Sequence, residues 1–354
     1  MEYPLGLPFS DRDFQYVTLA VLVVLACAVA FTLAAAWLRA ANNRKQLRWA
    51  RLQGQWEPVI IRVLAGEMPE SQLRSLVPKK DERYFVGFLL RYARRLKGVE
   101  HDAVLRLAVP YLSTIARDLG HRSPELRARA LQTLGELSIL DYSNEFLQAL
   151  NDPSPLVAMN AAHALARHYQ PAHAVRLIRC LERFEEWNIR YLAAMLANMG
   201  PESAQVLRDA FRDRSRPPRI RAVIALTLAS LNDAGSVDLA TQVTEAERQT
   251  DLVIAALTLI EKVGGSEQLP AVRRLLESTD FAVRARAVTT LAALGTAEDT
   301  ARIRSGLDDE SNWVALHAAQ GLRDMGRVDL LEELANSDHP RAVAAQEMLW
   351  EMRA

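Results

Sequence analysis

The chain has 354 residues, with 43 Lys and Arg balanced by 43 Asp and Glu, and half of it is hydrophobic. Zero net charge weighs against a generally basic nucleic-acid binder and a highly charged disordered chain. Two cysteines, Cys27 and Cys180, leave no room for a disulfide framework or a Cys-rich zinc module. Aromatics are scarce, and Ala, Leu and Arg dominate. Those residues lose little freedom in a helix, so an all-α chain is expected.

Residues 1–16 form a short N-terminal segment. Val17 to Leu38 is a run of 22 residues without a charge. As a helix it reaches about 33 Å, against a hydrocarbon core of about 30 Å. Tyr16 and Trp37 stand at its ends, where amphipathic rings favour the membrane interface. A cleaved signal peptide begins with basic residues, whereas this run is preceded by Glu2, Asp11, Arg12 and Asp13, of net acidic sign. The downstream flank holds Arg39, Arg44, Lys45, Arg48 and Arg51, with no acid before Glu57. The positive-inside rule then predicts a single-pass protein of a bacterial inner membrane, N-terminus out, with the remainder cytoplasmic. The five cations are expected at the membrane surface, against anionic headgroups.

Residues 39–80 read as a basic juxtamembrane segment succeeded by cap helices. A helix is predicted over 44–55. Two short ones come next over 57–65 and 70–77, split by Gly66 and Pro69. The apolar Val59, Ile60, Ile61, Val63 and Leu64 predict packing on the first repeat rather than a loose tether.

From residue 81 to 354 the chain repeats. Anchors at Leu126, Val157, Asn188, Ile220, Leu252, Val283 and Val314 are spaced by 31 or 32 residues. Small or apolar residues recur four and eight positions later. Only Asn188 breaks the apolar rule. An earlier unit begins near Val86 and a truncated one near Pro340. Each unit reads as two helices. Ser123-Pro124, Ser154-Pro155, Thr250-Asp251, Asp280 and Asn312 read as helix starts. Gly200, Gly264, Gly295 and Gly326 read as left-handed helix stops. Second helices are predicted over 173–184, 202–212, 237–247, 267–277, 297–307 and 328–335. A unit this small cannot bury its apolar face alone, so stacking of about eight is expected.

Ser123–Leu137 (SPELRARALQTLGEL), Pro217–Leu231 (PPRIRAVIALTLASL) and Asp280–Gly295 (DFAVRARAVTTLAALG) share a Pro-x-Val-Arg-x-x-Ala-x-x-Ala-Leu core. That pattern resembles the short HEAT repeats of bacterial and phycobilisome-lyase-like proteins. The resemblance implies a right-handed α-solenoid of about eight helix pairs, preceded here by one transmembrane helix. The family's Arg after the anchor is present at Arg127, Arg221 and Arg284 and absent at Ala158, Val253 and Ala315. An arginine ladder with gaps is therefore expected.

No phosphate loop, zinc-protease helix or nucleophile elbow is found. No catalytic, metal or cofactor-binding residue is assigned, and a non-enzymatic protein is expected. Partner-binding candidates are the arginine-rich stretch with Arg208, Arg212, Arg214, Arg216 and Arg219, and a row of second-helix cations that includes Arg176 and Arg179. The second helices are expected to line the concave side. Trp187 and Trp313, each one residue before an anchor, are candidate interface anchors. These features point to a membrane-tethered adaptor for a protein partner, itself membrane-associated, with no nucleic acid. A narrower expectation places that partner in an envelope or glycosyltransferase system. The alternatives are a lyase-like enzyme subunit of the phycobilin-lyase type and a HEAT-like DNA-binding protein.

Overall fold

The computed structural model describes residues 11–137 and 140–351. Within them every element is an α-helix or a short 3-10 turn, with no strand. The chain divides into two compact units, Met1–Thr114 and Ile115–Ala354.

The first unit contains α1 (Asp11–Leu64), α2 (Glu70–Ser75), α3 (Glu82–Ala93) and α4 (Val99–Ala108), and α5 (Leu112–Ala116) crosses the division. Among the described residues α1 is the one helix long and apolar enough to cross a membrane, and its most apolar window is wholly unburied. The separate helix expected from residue 57 does not exist. α1 continues unbroken through Pro58 to Leu64. Proline removes one helical hydrogen bond. That cost is offset because the same turns bury Trp56 and Ile60 at 3% and 0% exposure. Full burial of such side chains contributes about 1.5–3 kcal/mol each. Trp56 lies against Phe85 (5.1 Å between ring centres) and Phe88 (6.0 Å). The break at Gly66 and Pro69 stands where expected: Gly66 has φ +75° and Pro69 precedes α2.

One of the five membrane-surface cations, itself exposed, also has a partner within the fold. Arg48 is ion-paired with Asp81, which is only 4% exposed, and its guanidinium lies 5.5 Å from the Tyr84 ring centre. A buried carboxylate needs a charged partner, so Arg48 serves the fold. Arg39, Arg44 and Arg51 are exposed. The side chain of Lys45, like residues 1–10 of the N-terminal segment, lies outside the described residues.

The second unit is an α-solenoid of seven helix pairs. They are α6 (Pro124–Leu137) with α7 (Ser143–Ala149), α8 (Pro155–Arg167) with α9 (Pro171–Cys180), and α10 (Ile189–Ala197) with α11 (Ala204–Arg212). Next come α12 (Pro218–Ser230) with α13 (Val237–Ala246), α14 (Thr250–Val263) with α15 (Leu269–Arg274), and α16 (Phe281–Leu294) with α17 (Thr300–Ser305). The last pair is α18 (Asn312–Asp324) with α19 (Val328–Ala335), and α20 (Ala342–Glu351) closes the series. Each first helix packs on the first helix of the next pair, and the shorter second helices form the other layer. First helices are therefore covered on three sides. In α12, Ile220, Ala222, Val223, Ile224, Ala225 and Leu228 are all fully buried.

The interrupted arginine ladder has a clear structural role. Arg284 holds Asp309 with two bonds of 2.8 and 2.9 Å and donates to the carbonyl of Ser278 at 2.8 Å. Arg127 does the same with Asp152, at 2.8 Å twice, and with the carbonyl of His121 at 2.9 Å. One guanidinium thus ties the loop entering a repeat to the loop leaving it. Each aspartate also accepts the N–H of a residue just before the next first helix, Ser154 or Ser311, at 2.8 Å. Arg221, 4% exposed, joins the carbonyl of Phe211 (2.9 Å) to Glu247 (2.8 Å). The pair that has Ala158 instead borrows Arg183, which donates to the carbonyls of Leu150 and Asp152. Such charge-assisted bonds are roughly twice as strong as neutral ones. The arginines hold Asp152 and Asp309 below the usual carboxylate range, with the Ser154 and Ser311 amides adding to the effect.

Two local expectations change. Gly200 and Gly326 are left-handed, at φ +75° and +73°, but Gly264 and Gly295 are not, at φ −80° and −68°. Their glycine serves close approach instead. A Cβ would sit 2.5 Å from the Ile260 carbonyl oxygen and 2.4 Å from that of Leu291. Asn188, the anchor that broke the apolar rule, is a cap: its Oδ1 accepts from the amides of Arg190 (2.9 Å) and Tyr191 (3.1 Å). Asp280 caps α16 as expected. Ser154 does not cap with its side chain, and the N-cap of α18 is Ser311 rather than Asn312; Asp152 and Asp309 instead accept the amides of Ser154 and Ser311.

Candidate partner-binding groove

A groove of about 660 Å³ crosses four first helices, α10, α12, α14 and α16. Its lining is built from small and apolar residues, including Ala193, Leu226, Ala229, Ile254 and Ala255. Small side chains let neighbouring helices approach and leave a shallow channel above them. Charges stand along its sides. Asp251 is held by Arg219 at 2.7 Å, and Glu261 by Arg286. The side chains of Arg190 and Lys262 are exposed and have no hydrogen-bond or ion-pair partner among the described residues. Burial lowers the pKa of Arg286, with repulsion from Arg190 adding to the effect, although Glu261 favours its charge. Its Nε is buried without a hydrogen-bond partner.

The groove is part of a longer feature. Counting six residues from each anchor gives Gln132, His163, Ala194, Leu226, Thr258, Thr289 and Gln320, one per pair. Every one is at least partly exposed, and none carries a fixed charge. Interface cores are depleted of charge in this way. The file reaches α18, where the His317 ring nitrogen lies 3.2 Å from Thr289 and the Trp313 ring meets His317 edge-on at 5.1 Å. Burial, with Arg286 nearby, lowers the pKa of His317.

None of the residues singled out from sequence lines the groove, although Arg219 holds its Asp251. The arginine-rich stretch is largely consumed within the fold. Arg208 binds Asp233 at 2.6 Å and Arg212 binds Asp209 at 3.2 Å, while Arg216 lies 3.2 Å from Asp213. Arg219 also donates to the carbonyls of Glu185 (2.6 Å) and Trp187 (3.2 Å). Arg214 is 68% exposed and only 3.9 Å from Glu247. The second-helix row is similarly neutralised between neighbours. Arg273 binds Asp299 through two bonds of 2.7 and 2.8 Å, Arg304 binds Glu333 at 3.0 Å, and Arg274 pairs with Glu245. Asp299 is held down to about 2, chiefly by Arg273. Arg176 and Arg179 remain exposed on α9. Trp187 is half-buried against Phe184 at 5.2 Å, two residues before the groove-lining Ile189. Trp313 is 54% exposed. Arg190, Lys262 and Arg286 were not anticipated, because a search for clusters of charge passes over a surface defined by lacking it.

HEAT repeats match residues 109–198 and 239–323. Among solved structures, the complex of CpcE and CpcF of phycocyanin lyase from Nostoc is similar at 15% identity and a TM-score of 0.34, covering 69% of this chain and 88% of that one. Human deoxyhypusine hydroxylase is similar at 14% identity and a TM-score of 0.32, covering 78% and 97%. Kap121p, at 14% identity and a TM-score of 0.40, is matched over 80% of this chain and 36% of its own length. No curated protein matches the chain.

Proposed function

We propose that this HEAT-repeat protein is a non-enzymatic, membrane-tethered adaptor, with the solenoid cytoplasmic and the first-helix face taking an extended segment of a protein partner. One observation carries the binding surface: the uncharged file and the groove coincide on the same layer of helices. Burying that file against a partner removes apolar and small polar surface from water without stranding a charge. Arg190 and Lys262 at the sides favour acidic residues in the bound segment. HEAT repeats commonly mediate protein–protein contacts. The tether rests on the unburied apolar part of α1, and the basic flank gives its orientation. The partner is a membrane component in this reading, with an envelope or glycosyltransferase system as the narrower suggestion.

The test is site-specific photocrosslinking from positions 194 and 258 in native membranes, then purification. A discrete crosslinked protein is expected from both positions, reduced about tenfold or more by Leu226→Glu, which buries an unpaired charge at the contact. A solenoid with intact helical signal whose crosslinks do not respond to that change refutes the groove. A C-terminal reporter active only outside the cytoplasm refutes the orientation.

A further inference from the structure

The membrane-proximal unit carries a charge surplus hidden by the neutral total: residues 39–114 hold 15 Lys and Arg against seven Asp and Glu. The way α3 lies against α1 gives that surplus a direction. Residues 48 and 49 of α1 meet one edge of α3: Arg48 pairs with Asp81, Trp49 packs on Tyr84 at 5.6 Å, and the Arg91 guanidinium sits 3.9 Å from the Trp49 ring centre. Trp56, farther along α1, meets Phe85 and Phe88. Seven residues of helix separate the two levels by about 10 Å. The Tyr84–Arg91 edge is therefore the one nearer the apolar part of α1. Within α3, Gly87 lies about 60° round the helix from Tyr84, while Lys80 and Arg95 flank the helix just beyond its two ends. Lys80, Arg91 and Arg95 are all exposed.

We propose that this side of α3, with Arg91 and the flanking Lys80 and Arg95, is a second membrane contact that docks on anionic lipid headgroups. The inference rests on the membrane reading above. Trp49 lies about 16 Å along the helix from Leu38, of which the headgroup layer occupies about 5–8 Å. The side-chain radius of α3 takes up about 5 Å more, so its cations stand within one Debye length of the lipid phosphates, about 8 Å at physiological salt. Arg48 takes no part, because Asp81 already holds it. The docked edge would keep the first helical pair against the bilayer.

The test uses the full chain in lipid nanodiscs. A fluorophore is placed at Gly87→Cys, where an added Cβ meets nothing within 4 Å, in a Cys27→Ala background. Headgroup-labelled quencher lipid reports its proximity to the surface. Quenching is expected to be about twofold or more stronger in discs containing phosphatidylglycerol than in phosphatidylcholine alone. High salt should abolish the difference. Arg91→Glu with Arg95→Glu should do the same, and so should Lys79→Glu with Lys80→Glu, which leaves the Trp49 contact intact. Equal, salt-insensitive quenching in both discs overturns the lipid contact. Insertion is scored separately on the native sequence: Cys27 should resist a water-soluble thiol reagent in discs, and free reaction there overturns the tether itself.

Discussion

Removing the Arg284 side chain beyond Cβ should loosen the solenoid between its fifth and seventh pairs. Arg284 is almost wholly buried and holds Asp309 through two bonds while capping the Ser278 carbonyl. Arg284→Ala strips Asp309 of its counter-charge but leaves it the Ser311 amide. Breaking one side of a buried ion pair costs about 3–5 kcal/mol. The remaining amide bond and the partial exposure of Asp309 at 14% reduce the expected loss to about 2–3 kcal/mol. Asp309→Ala alone should cost less, because Arg284 keeps the Ser278 carbonyl at 2.8 Å and Glu310 at 3.2 Å. The double variant should cost clearly less than the two single losses together, by about 1–2 kcal/mol. The assay is denaturant unfolding of all four forms in one detergent. Hydrogen exchange is measured alongside, because nearest-neighbour coupling should confine the loss of protection to α16, α17 and α18 and their neighbours. Additive losses, or a single-variant loss below about 0.5 kcal/mol, would refute the clamp.

Trp56→Ala should destabilise the first unit by about 3–5 kcal/mol through the cavity it opens beside Phe85 and Phe88, read as lost protection in α3. Gly295→Ala should cost about 1–3 kcal/mol, since its Cβ would strike the Leu291 carbonyl, whereas Gly265→Ala, with nothing within 4 Å, should be nearly neutral in the same melt. In acid, Asp299 is the group to watch. Its folded pKa lies below the ordinary value near 3.8, so the stability it contributes is fully present above about pH 4 and is lost as pH falls toward 2. Asp299→Asn should flatten that part of the stability profile. The buried Cys180, its thiol pushed up to about 11 by burial, should react with a maleimide only after unfolding.

Pattern in the sequence carries what repeats. Apolar anchors and small residues four and eight positions on mark the first helices, because packing demands the same volume in every pair. What depends on a single residue's neighbours is not visible there. Pro58 suggests a stop, and only the burial of Trp56 and Ile60 shows why the helix goes on. Gly264 and Gly295 look identical to Gly200 and Gly326 in sequence but do a different job, because backbone handedness is not written in residue type. Arg208 and Arg219 look like part of a binding cluster until their carbonyl and carboxylate partners, 25 to 34 residues distant, come into view. The uncharged file can be counted off from the anchors in sequence. It becomes meaningful only once those positions are seen to be exposed.

Because α1 runs without a break and is gripped at residues 48, 49, 56 and 60, its azimuth is locked to α3. Adding one residue between Leu38 and Arg48 would turn everything above the insertion by about 100° and shift it by about 1.5 Å. Seven added residues would restore the phase to within about 20°. Whatever the apolar stretch meets on its own side is thereby held in register with whatever the first helical pair meets on the other, as two cams cut on one shaft.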